Sequence, residues 1–219
     1  MKKSPHVESK LRHNILKSPE EIEKASGIDI YGRKIKSCIF TTDIAIIRNC
    51  DADAIFAVYP FTPQQCISDA IIKASYVPVF CGVGGGTTYG PRAITIATDA
   101  EAYGAIGVVL NAPITNENLY EIAQAVDVPI VITVTNKDTD IQARLDAGAS
   151  ILNVAGAGET AAIVRKIRKT HPDVPIIASG GPTAESRIAT IKAGANAITF
   201  VPPTTKELFS DMMKRYRET

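Results

Sequence analysis

The chain has 219 residues, 45% of them apolar, with 24 Lys plus Arg against 23 Asp plus Glu for a net charge of +1. That size carries one large domain or two small ones with a sizeable core. The balanced charge argues against nucleic-acid and membrane-surface partners. The opening "MKKSPHVESK" is charged with no apolar segment behind it, and no run approaches the ~18 apolar residues that cross a bilayer. A cytoplasmic protein is expected.

The chain repeats itself. "VPVF" at 77, "VPIV" at 128 and "VPII" at 174 each open a short apolar run, with steps of 51 and 46 residues between their prolines. Runs of a second kind alternate with these, so each step holds two strands and two helices. In chain order, an amphipathic stretch "SKLRHNILKSPEEIEKAS" predicts a helical extension over residues 1–30. Strands follow at 35–41, 54–59, 77–82, 106–110, 129–134, 150–154, 175–179 and 197–201. They are near-continuous apolar runs, as parallel strands covered on both faces require. Between them "TDAEAYGA", "NENLYEIAQAV", "DIQARLDAGA", "ETAAIVRKIRKTHP" and "AESRIATIKAGA" place apolar residues at helical spacing, and "TKELFSDMMKRYRE" ends the chain in the same way. Eight such units predict a (β/α)8 barrel over residues 31–219; the alternative is an open doubly wound sheet.

In such a barrel the chemistry lies at the C-terminal ends of the strands, and that rule selects the candidates. Lys36 precedes or enters the first strand. Pointing inward it would be a desolvated amine suited to base or Schiff-base chemistry; at the barrel bottom it would face solvent. Asp43 ends that strand, placed for a general base or a Mg²⁺ ligand, or else as a helix N-cap. Tyr59 ends the second strand, where a phenol can relay a proton. The third runs into "CGVGGGTTYG": Cys81, Gly84, Gly85 and Gly86 are candidates for ligand contact, and the alternatives are a lid or a plain turn. The spacing is not that of a dinucleotide fingerprint. Arg92, just beyond, would clamp a carboxylate or phosphate unless it lies on a helix surface. Asn111, Thr133 and Asn153 end the fourth, fifth and sixth strands and are placed to hold a carbonyl or hydroxyl oxygen.

The seventh strand ends in "IIASGGPT" and the eighth in "FVPPTT". Barrels of this kind bind phosphate between these two loops and a helix N-terminus. Ser179, Gly180, Gly181, Val201, Pro202, Thr204 and Thr205 form that candidate phosphate site; the alternative is a tight turn at the glycine pair. The stretch "PIIASGGPTAESRIATIKAGANAITFVPP" resembles the aldolase-type barrels of the ribulose-phosphate-binding group. That resemblance implies a phosphorylated ligand. It does not extend to the catalytic sets: the sixth strand has Asn153 where the Schiff-base aldolases have lysine, and the third lacks the Lys-x-Asp of the phosphosugar decarboxylases.

His6, His13 and His171 lie away from strand ends, which argues against histidine catalysis or a histidine metal site. Four separated cysteines make a zinc site or disulfide framework improbable. The expected function is lyase or isomerase chemistry beside a carbonyl of a small phosphorylated metabolite. A hydrolase, or a phosphometabolite sensor without catalysis, is the alternative. No cofactor is implied beyond Mg at Asp43, and a homo-oligomer is the expected assembly.

Overall fold

A computed structural model describes Pro5, Val7 and residues 15–218. His6 and His13, and much of the expected N-terminal helix, lie outside these residues. A 3₁₀ helix (Glu20–Lys24) leads into a hairpin of β1 (Ile28–Ile30) and β2 (Arg33–Ile35). Eight parallel strands follow: β3 (Ser37–Phe40), β4 (Ala54–Ala57), β5 (Val79–Gly84), β6 (Gly107–Leu110), β7 (Ile130–Val134), β8 (Ile151–Val154), β9 (Ile176–Ser179) and β10 (Ala197–Phe200). Each is followed by a helix: α1 (Ile44–Arg48), α2 (Gln65–Ala74), α3 (Pro91–Ala102), α4 (Asn116–Ala123), α5 (Ile141–Asp146), α6 (Thr160–Thr170), α7 (Ala184–Lys192) and α8 (Thr205–Glu218). Strand β10 pairs with β3 and closes the sheet, so the fold is a (β/α)8 TIM barrel and the open-sheet alternative falls. No helix among the described residues is long and apolar enough to cross a membrane.

The strands are apolar on both faces because both are covered. Ile39, Ile55, Cys81, Val108, Ile132, Leu152, Ile176 and Ile198 point outward and join the layer under the helices. Their neighbours Cys38, Phe56, Phe80, Val109, Val131, Ile151, Ile177 and Ala197 fill the barrel. Ile28, Ile30 and Ile35 of the hairpin belong to that inner cluster and plug the barrel at the strands' N-terminal ends. The boundary drawn after residue 30 thus falls at the hairpin turn.

The 3₁₀ helix lies against α7. Its Ile22 is 2% exposed within the outer layer, and Glu21 pairs with the Arg187 guanidinium of α7. Both partners are largely buried, so removing one charge strands the other. Glu21→Gln is expected to cost roughly 1–3 kcal/mol in urea unfolding, whereas Asp69→Asn, which breaks the more exposed Lys73–Asp69 pair, should change stability by less than about 0.5 kcal/mol.

Candidate active site

The barrel interior has two unlike sides. Phe40, Phe56 and Phe80 sit side by side in register on β3, β4 and β5. Ring centroids are 6.2 Å apart for Phe40–Phe56 and 5.9 Å for Phe56–Phe80. Phe40 is partly exposed where the strands end. Across the barrel the inward positions nearer the mouth, two residues beyond Val131, Ile151, Ile177 and Ala197, are polar. Thr133 and Asn153 are register partners on β7 and β8, as are Ser179 and Thr199 on β9 and β10. The Asn153 amide Nδ2 donates to Thr133 Oγ1 at 3.3 Å, and Asn153 is 8% exposed.

A cavity of about 170 Å³ opens at the mouth between the ends of β4, β5 and β6. Its lining includes Tyr59, Phe61, Gly82, Gly86, Thr88 and Asn111. The glycine segment is held by two backbone bonds: Gly85 N–H donates to the Thr88 carbonyl at 2.8 Å, and Asn111 N–H to the Gly84 carbonyl at 3.0 Å. A side chain is excluded at Gly85, whose φ is +91° and whose Cβ would lie 2.6 Å from the Asn111 backbone. The carboxamide of Asn111 borders the exposed Gly86, its Nδ2 3.5 Å from where a Cβ there would stand. The Tyr59 hydroxyl accepts from Gln64 N–H at 2.9 Å, which leaves its proton free to donate. Burial raises the Tyr59 pKa, so the phenol is protonated at neutral pH.

Several predicted site residues have other work. Lys36 stands at the N-terminal end of β3, with Nζ donating to the Glu23 carbonyl at 2.7 Å and pairing with its carboxylate. It is at the opposite end from the mouth. Cys81 points outward under the helices, and burial pushes its thiol up to about 11 although the Ser68 hydroxyl favours the thiolate. Arg92 is exposed on α3, beside an outer groove that Gln65, Asp69 and Tyr103 also line. Asp43 is the N-cap of α1: Oδ1 accepts from Ala45 and Ile46 N–H at 2.8 and 3.2 Å, and Oδ2 from the Thr205 hydroxyl. The Thr205 hydroxyl, more than the two N–H groups, holds this carboxyl below its usual range despite partial burial. Both oxygens are thus engaged. Among the described residues no group of three or more His, Cys, Asp and Glu side chains is placed to hold a metal ion.

The residues of the phosphate candidate meet at adjoining ends of β9 and β10, and Gly180, Gly181, Thr204 and Thr205 have local roles. Gly180 N–H donates to the Thr199 carbonyl at 3.1 Å. A Cβ on Gly180 would lie 2.5 Å from the Arg187 stem and 2.6 Å from Ile198, while Gly181 has φ +76°. The pair thus makes a close-packed, left-handed entry to α7. Thr204 caps its own helix, exchanging hydrogen bonds with Glu207, whose carboxylate accepts from Thr204 N–H at 2.7 Å. An acid already occupies the positive end of α8. Val201 is exposed and Pro202 offers no N–H. The aromatic row Phe40–Phe56–Phe80, Phe61 and Thr88 were not singled out in the sequence.

Neither a family profile nor a curated protein sequence matches the chain. Among solved structures it is similar to a candidate phosphonomutase from Burkholderia cenocepacia J2315, with 16% identity, a TM-score of 0.65, and 84% of this chain and 93% of that chain covered. It also resembles a phosphonopyruvate hydrolase solved with oxalate and Mg²⁺ (13% identity, TM-score 0.62, 90% and 84% covered). A mandelate oxidase is equally near (14% identity, TM-score 0.62, 81% and 68% covered). These likenesses show the barrel and do not single out the ribulose-phosphate-binding group.

Gly180→Ala is expected to cost roughly 1–3 kcal/mol in chemical unfolding, from overpacking against Arg187 and Ile198. Asp43, with its pKa held below the unfolded value of about 3.9, contributes stability above that pH and loses it as pH falls through the folded pKa. Asn caps a helix as well as Asp. Asp43→Asn should therefore be less stable than wild type at neutral pH, and the two melting temperatures should converge in acid.

Proposed function

We propose that this chain is an enzyme acting on a small phosphorylated or carboxylate-bearing metabolite at the C-terminal mouth of the barrel, by lyase or mutase-type chemistry beside a carbonyl. The observation that carries the reading is the cavity between β4, β5 and β6. There two neutral polar side chains, Tyr59 and Asn111, border a glycine backbone that lets a ligand come close. A protonated Tyr59 and the Asn111 amide are hydrogen-bond donors. Aimed at one substrate oxygen, they would stabilise the charge that gathers there as a neighbouring bond breaks or migrates. Asp43 would need to release Thr205 before it could bind a divalent ion. Two neighbours named for phosphono-acid chemistry agree with this substrate class; the fold alone does not select it, since a mandelate oxidase is as near.

One observation favours a second reading, a sensor of the same metabolites: none of the side chains lining the cavity is a carboxylate, lysine or arginine. Turnover separates the two. The direct test is thermal stabilisation against small organic acids, each with its phosphorylated partner. The expected result is a concentration-dependent rise that Tyr59→Phe weakens by about tenfold in apparent affinity, the scale of one hydrogen bond to a charged group. A panel that produces no shift, or a shift that Tyr59→Phe leaves intact, contradicts the site.

A further inference from the structure

The polar side of the barrel holds a group that the mouth cavity does not explain. The Asn153 carboxamide donates from Nδ2 to Thr133, but its Oδ1 is buried and has no hydrogen-bond partner. Asn153 points into the barrel, because Ile151 belongs to the inner cluster while Leu152 and Val154 belong to the outer one. The residue is more than nine-tenths buried. A buried acceptor without a donor is costly, and such groups persist where a ligand supplies the missing bond. Thr133 and Ser179 continue the polar surface from Asn153 towards the mouth, both of them partly exposed. The facing wall is the aromatic row Phe40–Phe56–Phe80.

We infer that Asn153 is a specificity-determining residue that accepts a hydrogen bond from a hydroxyl group of the substrate. This rests on the proposed function and narrows its substrate class to hydroxy acids and their phosphates. Hydrogen-bond parity selects the group. A fully ionised phosphate or carboxylate only accepts, and Asn153 Oδ1 only accepts, so neither anion satisfies it. A hydroxyl donates. The aromatic wall opposite carries no side-chain donor and fits the carbon skeleton of the same molecule.

The test uses the full chain and two matched pairs, malate against succinate and 3-phosphoglycerate against its 2-deoxy counterpart. In wild type the hydroxylated member of a pair should bind about tenfold or more tightly than its partner, as sites built around a hydroxyl do. Asn153→Leu, which keeps the branched shape, should abolish that preference and leave the weaker member's affinity unchanged. Equal binding in wild type, or a preference that survives Asn153→Leu, overturns the inference. A ligand-free arm uses Asn153→Leu combined with Thr133→Val, which removes both polar partners. If Oδ1 is held for a ligand, the double variant melts at or above the wild-type temperature. A melting temperature several degrees lower means that the carboxamide has a structural partner, an internal water included, and overturns the inference. If none of the four acids binds, the proposed substrate class fails, and the ligand-free arm alone decides whether Asn153 is structural.

Discussion

The structure depends on the closure of the sheet between β10 and β3. Ile198, Thr199 and Phe200 pair with Ser37, Cys38 and Ile39, and Ile198 N–H donates to the Lys36 carbonyl at 2.8 Å. Without that seam there is no inside, and the alternation along each strand has no barrel to fill. Much of the rest of the chain secures it. The 3₁₀ helix packs on α7 and adds Ile22 to the outer layer, and the hairpin adds its isoleucines to the inner cluster. Lys36 and Arg187 tie to Glu23 and Glu21 on the same segment. At the mouth, the Thr205 hydroxyl reaches Asp43 across the seam, joining the loop after β10 to the loop after β3. Charged groups gathered at this closure are mostly occupied with holding it, so they are poor candidates for chemistry.

The cavity between β4, β5 and β6 is lined by neutral side chains. The barrel interior divides into an aromatic row on β3–β5 and a polar arc on β7–β10, and the mouth cavity lies over the ends of β4–β6. Such a site binds by shape and by placed hydrogen bonds, and an anionic ligand meets donor groups there instead of a cationic side chain. The glycine segment contributes by leaving side chains out, and Tyr59 contributes a proton that burial keeps in place. These features support the proposed reading of a site that would polarise a small oxygen-rich molecule.

The strands and their order were legible because each is a near-continuous apolar run, and the repeats set them at similar intervals. The same property hid where single residues point. With both faces apolar, nothing in "VPVFCGVGGG" says that Phe80 looks inward and Cys81 outward; the register with β4 and β6 decides it. Asp43 carried a capping signal in its position before "IAIIR", and it caps α1. Its second partner, Thr205, is 162 residues away and left no trace nearby. The pairing of Glu21 with Arg187 spans 166 residues in the same way. The glycines of "SGGPT" were visible as a special turn. The atoms that demand Gly180, the Arg187 stem and Ile198, were not.

The proposed ligand position is between β4, β5 and β6, at "GVGGGTTYG", and not at "SGGPT". Amide NMR shifts during titration with oxalate and, separately, inorganic phosphate test it most directly. The largest changes are expected on Gly82–Thr88, Phe61 and Asn111, with Ser179–Gly181 and Val201–Thr205 little affected. Changes centred on Gly180, Gly181 and Thr204 instead would contradict it and move the site to the loops after β9 and β10.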